Sequence, residues 1–503
     1  MINRRQFLAL STVAASAAAQ TQRPNIVYFL ADDFGYGDAG FLNPKSKIPT
    51  PNLDRLAQQG LRFSDAHDPT AVCTPTRYGI LTGRYCWRSR LKRSVLGPWA
   101  KELIEPGRLT VPAMLHSHGY KTAAFGKWHL GFQWATTDGQ PPKFAEGKCN
   151  VDFDKPVEDG PVTRGFDYFF GMDCPNYPPY CYIENDRLIG KPTTVFQGGK
   201  MEQIPNSPFG PIDSRPGPAL PGWRQDDVLP EITSRAAKYI EERGKNPKEP
   251  FFLYFACTGP HTPIVPSKEF QGTTKVGPYG DWVHQVDHSL GHLLAALDRA
   301  NLSGNTLIIF TSDNGPEKIA YERIQQYGHY SMGELRGVKR DAWEGGHRVP
   351  WVARWPGRIN ANSSSSEVIC QTDIMATVAA VVGHRLPADA GEDSYNILPA
   401  LLGEKLAKPI REATVHHSMN GDFAIRQGPW VFIDHPTGDN NQEPEWFKKE
   451  RGYVPHTYPG ELYDLRTDLQ ERTNLYAERP EIVHALKELL EQYKREGRSA
   501  PRD

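Results

Sequence analysis

Short apolar runs that end in polar residues constrain the fold of this 503-residue chain most strongly. The run at 25–30 reads NIVYFL and leads directly to Asp32 and Asp33. A continuous apolar run of this length is typical of a strand that is buried on both faces. Similar runs lie at 121–125, 251–256 and 306–311, and amphipathic stretches separate them. We therefore predict an α/β fold with a large, mainly parallel sheet that is flanked by helices on both faces.

The pattern changes after residue 400. The segment DFAIRQGPWVFID at 422–434 is typical of a hairpin, ELYDLRTD at 461–468 indicates another strand, and 480–496 is helical in pattern. We predict a main domain over 20–400 and a small α+β domain with an antiparallel sheet over 401–503. The Pro-, Gly- and aromatic-rich stretch 135–235 and the serine run 363–366 are predicted to be loops.

The first 19 residues have the three parts of an export signal. Arg4 and Arg5 precede a short run of small apolar residues, which ends in an Ala-x-Ala sequence at Ala19. This order predicts a twin-arginine signal peptide over 1–19 and a mature protein in the periplasm or outside the cell. The run is too short to span a bilayer, and we expect no transmembrane segment. With 58 basic and 59 acidic residues, the chain also lacks the charge excess of a nucleic-acid-binding protein.

Carboxylates gather where two of the predicted strands end. Asp32 and Asp33 follow the first strand, and Asp313 and Asn314 follow the strand at 306–311. The Asp-Asn-Gly sequence at 313–315 is by itself typical of an ordinary turn. Because the carboxyl ends of parallel strands share one edge of a sheet, however, the two pairs are expected to meet. These oxygen ligands suit a hard cation such as Ca²⁺ or Mg²⁺ and argue against zinc.

Basic side chains follow the other predicted strands. Lys127 and His129 flank Trp128 after the run at 121–125, and the alternation of a strand places both on one side. His261 follows the run at 251–256, and Arg77 and Lys339 lie in nearby motifs. Each of these residues alone is more often a solvated charge or an ordinary polar histidine. Cations around a metal are suited to binding a tetrahedral oxyanion.

Cys73 opens the segment CTPTRYGILTGR, which has the pattern of a first helical turn. A free cysteine is often a small buried hydrophobic residue. A helix N-terminus with Arg77 nearby also favours negative charge at this position, so a nucleophile or its precursor is equally consistent. The chain has seven cysteines, an odd number. An oxidising compartment permits disulfides, with Cys174 and Cys181 as the candidate local pair, and leaves at least one cysteine over.

A cysteine signature and seven further motifs together resemble the type I sulfatases, a family with an alkaline-phosphatase-like fold. The signature Cys-x-Pro-x-Arg matches CTPTR at 73–77 and is followed by LTGR. The other matches, in chain order, are NIVYFLADDFGYGD, GKWHLG, GFDYFFG, GPHTP, TSDNG, RGVKRDAWEGGHRVP and ELYDLRTDLQERTNL. The resemblance implies that a formylglycine-generating enzyme converts Cys73 to Cα-formylglycine. It also implies a Ca²⁺ ion, in preference to Mg²⁺, held by the modified Cys73 with Asp32, Asp33, Asp313 and Asn314.

The resemblance further implies a mechanism and a role for each basic residue. The aldehyde hydrates to a geminal diol, and one hydroxyl attacks the sulfur of a sulfate ester. Arg77, Lys127 and Lys339 offset the charge that develops on the sulfate. His261, with Lys339, gives a proton to the departing alcohol. His129 takes the proton of the second hydroxyl, so that sulfate is expelled by C–O cleavage.

The chain departs from some members of the family after the GFDYFFG motif. Those members have a serine that helps to arrange the site, whereas this chain reads MDCPNY at 172–177. The basic, Trp-flanked segment 87–99 and PNYPPYCY at 175–182 offer cations and aromatic faces to an anionic carbohydrate, or they simply pack as loops.

The overall sequence is similar to bacterial sulfatases that act on galactose- or N-acetylgalactosamine-6-sulfate units. The two rival functions are a phosphoester or phosphonate hydrolase of the same superfamily and a catalytically silent carbohydrate-binding relative.

Overall fold

The structure is a computed structural model that describes residues 23–198 and 214–501. The predicted signal peptide at 1–19 lies outside these residues. The helices are α1 Pro51–Gln58, α2 Cys73–Thr82, α3 Val111–Ser117, α4 Val228–Gly244, α5 Gly277–Arg299, α6 Ala320–Tyr327, α7 Glu344–His347, α8 Ile374–Val382, α9 Leu398–Leu401, α10 Glu445–Arg451 and α11 Pro480–Glu496. None of them combines the length and the apolar character that crossing a bilayer requires.

Among the described residues, twenty strands form one large sheet and several small ones. They are β1 Asn25–Asp32, β2 Leu61–Phe63, β3 Ala66–His67, β4 Lys121–Lys127, β5 Phe144–Ala145, β6 Lys148–Cys149, β7 Tyr168–Met172, β8 Tyr182–Glu184, β9 Arg187–Ile189, β10 Thr194–Phe196, β11 Gly217–Ala219, β12 Phe251–Pro260, β13 Thr306–Ser312, β14 Trp351–Arg354, β15 Ser363–Ser365, β16 Ile369–Cys370, β17 Thr414–His417, β18 Phe423–Gln427, β19 Trp430–Ile433 and β20 Glu461–Asp464.

The large sheet has ten strands in the order β15-β2-β14-β13-β1-β12-β4-β7-β8-β9. Its centre, from β13 through β1, β12 and β4 to β7, is parallel, and antiparallel strands extend it on both sides. The predicted α/β fold with a mainly parallel sheet is therefore confirmed. The prediction of a loop at 363–366 is wrong in part, because Ser363–Ser365 pairs with β2 as the edge strand β15.

Strand β1 is buried on both faces, as the apolar run predicts. Val27 and Phe29 face one hydrophobic layer, which contains α1, α4 and α5. Tyr28 and Leu30 face the other layer, which contains α2, α3 and α8. Alternate residues of a strand point to opposite faces, so a strand between two helical layers needs apolar side chains at successive positions.

We expect Phe29→Ala to lower the free energy of unfolding by about 3–5 kcal/mol, because the truncation leaves a cavity in a packed core. The Phe29 ring lies 4.8 Å from that of Phe255 and 5.3 Å from that of Phe310, measured between centroids. Denaturant unfolding followed by circular dichroism measures the change. The control Val195→Ala, at a side chain that is 40% exposed, should change it by less than about 0.5 kcal/mol. A loss below about 1 kcal/mol for Phe29→Ala would contradict the packing described here.

The C-terminal residues form an antiparallel sheet in the order β17-β18-β19-β20. One face packs on α11. The other face packs on Ala342 and Trp343, and Trp343 donates a 2.7 Å hydrogen bond to Glu461. Trp343 follows Lys339 by four residues, so this small sheet supports a segment that carries a predicted site residue.

The expected disulfide between Cys174 and Cys181 is wrong. All seven cysteines lie among the described residues, and all are free thiols. The Cys174 thiol donates to Asn176 Oδ1 at 3.0 Å, whereas the Cys181 thiol lies near the carbonyl of Pro179. Each buried sulfur thus has its own local partner on the 174–181 turn. The stretch 135–235, which was expected to be loops, also contains short strands and the start of α4 at Val228.

Candidate catalytic centre

Four adjacent parallel strands deliver the predicted site residues to one edge of the large sheet. Strand β1 ends at Asp32, β4 ends at Lys127, and Asp313 directly follows β13. Strand β12 ends at Pro260, one residue before His261. Because these strands are neighbours and parallel, their carboxyl ends lie side by side. Helix α2 brings Cys73 to the same edge.

Asp32 and Asp313 share one buried guanidinium. Arg77 donates to Asp313 Oδ2 through Nε (3.0 Å) and Nη2 (2.7 Å), and its Nη2 lies 3.5 Å from Asp32 Oδ2. Lys127 Nζ donates to Asp32 Oδ2 at 2.7 Å. Burial works against the charge of Lys127, but Asp32 raises the pKa of the lysine well above its ordinary value. The two cations stay charged and hold two carboxylates that would otherwise repel each other.

Asp33 has its own hydrogen-bond partners, separate from those of Asp32 and Asp313. Its backbone adopts a left-handed conformation (φ 67°), which turns the carboxylate away from the regular strand direction. Lys339 Nζ donates to Asp33 Oδ1 at 2.6 Å, and Asn314 Nδ2 donates to the same oxygen at 2.7 Å. Burial raises the pKa of Asp33, but Lys339, with help from His261 and Lys127, brings it below its ordinary value. Asp33 is therefore ionised.

The residues at this edge fit a hard cation. Among residues 23–198 and 214–501, three buried oxygens here have no hydrogen-bond partner: Asp32 Oδ1, Asp33 Oδ2 and Asn314 Oδ1. A buried carboxylate oxygen without a partner is costly, and a bound cation removes that cost. Ligand atoms of Asp32, Cys73 and Asp313 lie within 4.8 Å of one another. The oxygen-rich donor set suits Ca²⁺ or Mg²⁺.

Cys73 is the first residue of α2 and is buried, at 2% exposure. The helix terminus and Arg77 are expected to stabilise a thiolate, but burial of the side chain has the larger effect. Burial raises the pKa of the thiol above its ordinary value, although Lys127 and Lys339 act in the opposite direction. Arg77 is occupied by Asp313. The unmodified cysteine is thus a protonated thiol and a poor nucleophile at neutral pH.

His129 presents one free nitrogen to the site. Its Nε2 lies 3.0 Å from the carbonyl of Leu96, so Nε2 carries the proton and Nδ1 carries the lone pair. Nδ1 is buried and has no hydrogen-bond partner in the described part of the chain. Burial, then Lys127 and Arg77, lower the pKa of His129 well below its ordinary value. The imidazole is neutral and can accept a proton. His129 lies beyond β4 with φ 52°, so strand alternation does not set its direction.

His261 lies opposite Asp33, with Nε2 4.0 Å from Asp33 Oδ2. Its Nδ1 contacts the carbonyl of Thr262. Burial, then Lys127 and Lys339, lower the pKa of His261 to about 3. The ring is therefore neutral at physiological pH, with Nε2 free to receive a proton. The positive charge of this edge comes from Arg77 and the two lysines.

Two segments noted in the sequence, 87–99 and 172–182, contact His129 in the structure. The backbone carbonyl of Asp173 accepts a 2.9 Å hydrogen bond from the amide of His129, and Leu96 orients the ring of His129. Burial raises the pKa of Asp173 to about 7. The ring of Tyr177 meets His129 edge to face at 5.4 Å. Two of these contacts use backbone carbonyls, which every residue carries, so no residue type in the sequence signals them.

We expect metal binding to weaken as the pH falls below about 6. Burial, then the charge of Asp32, raise the pKa of Asp313 to about 6, and a cation must displace the proton held below that value. One displaced proton predicts a loss of about tenfold in affinity for each pH unit below 6 and no change above it. Calcium titration calorimetry between about pH 5 and pH 8 measures the slope. A flat profile would show that Asp313 is ionised throughout.

The chain matches known proteins over most of its length. The sequence model of the family described as Sulfatase matches residues 24–384. The chain is 34% identical to an N-acetylgalactosamine-6-O-sulfatase of Bacteroides thetaiotaomicron, over 94% of each chain. It is 31% identical to human arylsulfatase A, over 94% of this chain and 88% of that protein.

Solved structures agree with these matches. One, from work on the metabolism of multiple glycosaminoglycans by Bacteroides thetaiotaomicron, has a TM-score of 0.79 and 34% identity and covers 94% of this chain and 100% of that chain. The PsFucS1 sulfatase from Pseudoalteromonas sp. has a TM-score of 0.70 at 24% identity, covering 95% of this chain and 91% of that chain, which shows the shared fold. Since the family match spans the sheet whose edge gathers Cys73, the carboxylates and the cations, this chain belongs to the sulfatase family and is a sulfuric ester hydrolase.

Proposed function

We propose that this sulfatase removes the 6-O-sulfate of N-acetylgalactosamine units in sulfated carbohydrates, with Cys73 matured to Cα-formylglycine and Ca²⁺ as its metal. The observation that supports the proposal is the set of groups around Cys73. A buried residue at a helix start lies beside unpartnered carboxylate oxygens and two ammonium groups. The likeness to the Bacteroides N-acetylgalactosamine-6-O-sulfatase over 94% of both chains supports the choice of sugar.

Asp32, Asp33, Asp313 and Asn314 would hold the ion beside the modified Cys73. When bound, Ca²⁺ supplies Lewis-acid activation of an oxygen nucleophile, and a hydrated aldehyde at position 73 supplies that oxygen. The remaining N–H groups of Lys127 and Lys339 face the sulfate oxygens and offset their charge. Arg77 would offset the sulfate charge as well, and its contacts with Asp313 and Asp32 support a second role in holding these carboxylates in place.

His129 and His261 take part in different proton transfers. His129 Nδ1 carries a lone pair in a buried position and accepts a proton from the group at position 73. The His261 ring is neutral in the free site, since burial and then the two lysines lower its pKa. The negative charge of an entering sulfate ester raises that pKa, and His261 with Lys339 then delivers a proton to the departing sugar oxygen.

Competing sulfated sugars test the proposal directly. The chain is produced together with a formylglycine-generating enzyme and assayed on N-acetylgalactosamine carrying sulfate at O6 or at O4, and on the matched 6-phosphate. We expect kcat/KM for the 6-sulfate to exceed the other two by at least about tenfold. Preference for the 4-sulfate would overturn the assigned position. Preference for the phosphate would favour the rival phosphoester hydrolase.

Export completes the proposal. The twin-arginine pattern at Arg4 and Arg5 and the Ala-x-Ala ending at Ala19 support transport of the folded protein to the periplasm or beyond. Because this route carries folded chains, the formylglycine-generating enzyme can act in the cytoplasm first. The intact mass of the periplasmic protein should correspond to a start near Gln20. Replacing both arginines with lysine should leave the full-length chain in the cytoplasm.

A further inference from the structure

Three buried histidines meet where the main domain contacts the C-terminal sheet. His67 ends β3, His347 ends α7 and His416 lies in β17. None of the three side chains is exposed, and a ring nitrogen of each lies within 4.8 Å of the others. None of them belongs to the catalytic centre described above.

One ring nitrogen of each histidine points away from the other two rings and is called the outward nitrogen here. It faces an oxygen that can only accept a hydrogen bond. The contacts are His67 Nε2 to Asp65 Oδ1 at 2.7 Å, His347 Nε2 to the carbonyl of Ala342 at 3.2 Å, and His416 Nδ1 to the carbonyl of Asp68 at 2.7 Å. A ring nitrogen that faces such an acceptor carries the proton. When a ring is neutral, its other nitrogen therefore carries a lone pair.

The other ring nitrogens, called inward here, point toward one another. With neutral rings none of them carries a proton, so they cannot hydrogen-bond to each other. His67 Nδ1 and His347 Nδ1 lie 3.1 Å apart, and two lone pairs at that separation repel each other. His416 Nε2 is buried and has no hydrogen-bond partner among residues 23–198 and 214–501. An extra proton, the other tautomer of His67 with its Nε2 accepting from Arg426, or a cation would relieve this repulsion.

The two arginines and two carboxylates beside the cluster pair with each other. Arg426 donates to Asp65 through both Nη atoms at 2.6 Å, and Arg348 donates to Glu344 at 3.0 Å. Arg426 Nη1 also lies 2.9 Å from His67 Nε2, where both groups share Asp65 Oδ1. The two arginines are thus satisfied by the two carboxylates and do not need the histidine lone pairs.

We propose that His67, His347 and His416 form a second metal site, which binds Zn²⁺. Three imidazole nitrogens suit zinc, in contrast to the oxygen ligands of the catalytic edge. Zinc-bound histidines usually donate their other ring proton to a carboxylate or a backbone carbonyl, as all three rings do here. The rings of His347 and His416 stack with centroids 3.9 Å apart and 7° between planes, so binding requires them to splay. The χ2 angle of histidine has broad preferences, which permits that rotation.

A metal at this position would join two parts of the protein. Residues 68–72 run from β3 to Cys73, and the amide of Asp68 donates to the carbonyl of His347 at 2.8 Å. The amide of Ala71 donates to the carbonyl of His417 at 3.1 Å. Coordination by His416 would therefore tie the segment that enters α2 to the C-terminal sheet. Because the ion binds the folded state, it should also raise the melting temperature.

Zinc titration of the full chain tests the proposal. All proteins carry Cys73→Ala and are saturated with Ca²⁺, because the Asp32, Cys73 and Asp313 group could otherwise take zinc. Chelator treatment first removes bound metal, Ca²⁺ is then restored, and Zn²⁺ is added in competition with a chromophoric indicator. We expect about one tightly bound zinc per chain and a melting temperature that rises with zinc concentration. His416→Gln should weaken the affinity by at least about 100-fold.

His417→Gln is the matched control, because His417 neighbours His416 on β17 and is equally buried, but its ring contacts the carbonyl of Ser418. It should retain the zinc. Substitution of Co²⁺ into the protein with an intact cluster should give intense visible bands typical of tetrahedral nitrogen ligands, a readout that does not depend on any histidine variant folding. Absence of tight zinc, or equal affinity in the two glutamine variants, would overturn the site and favour a shared proton between His67 and His347.

Discussion

Replacing Cys73 with alanine should lower kcat by at least about 10⁴-fold, because the proposed nucleophile derives from this side chain. The fold should survive, since Cys73 is a small buried residue and the change removes only its sulfur. Purified Cys73→Ala protein, produced with a formylglycine-generating enzyme, is assayed on a sulfate ester and compared with the parent by circular dichroism.

Cys86→Ala is the matched control for Cys73→Ala. Cys86 is also a buried free thiol, placed just beyond the end of α2, and it contacts Ser89 and Leu91 instead of the catalytic edge. Its loss should leave the activity of the enzyme within about threefold, since only packing changes. If Cys73→Ala keeps about a tenth of the activity or more, the proposed nucleophile is wrong.

Asp313→Ala should remove the metal and lower kcat by at least about 10³-fold, the second-largest effect that we expect. Asp313 is unexposed and has a carboxylate oxygen near those of Asp32 and the sulfur of Cys73. The variant also leaves the Arg77 guanidinium with the 3.5 Å contact to Asp32 as its remaining carboxylate partner, beside the carbonyl of Lys127, so a loss of stability of about 3 kcal/mol should accompany the loss of metal. Elemental analysis of calcium measures occupancy, and thermal unfolding measures stability.

Asp313→Asn separates the two effects, because the amide keeps the shape of the side chain and removes its charge. We expect weaker calcium binding with a smaller loss of stability than in the alanine variant. Asp287→Asn is the control, since Asp287 is a buried carboxylate on α5 that accepts hydrogen bonds from Asn52 and Leu53 of α1. Full calcium occupancy in Asp313→Ala would show that this residue serves only the turn after β13.

The sequence by itself determined the fold class and the family. Runs such as 25–30 must be strands between two helical layers, because only that environment buries both of their faces. Polar residues directly after such runs are brought to one sheet edge by parallel topology, so the meeting of Asp32, Lys127 and Asp313 follows from the pattern. Motif order then carried the resemblance to sulfatases across nearly the whole chain.

Only the tertiary structure decided how those groups pair and which proton each holds. The carbonyl of Leu96 selects the tautomer of His129, and Asp313 occupies Arg77, yet neither contact leaves a local pattern in the sequence. The expected Cys174–Cys181 disulfide failed for the same reason, because the direction of each sulfur depends on the turn around it. The cluster of His67, His347 and His416 joins three segments that are far apart in the sequence, and long-range packing alone brings them into contact.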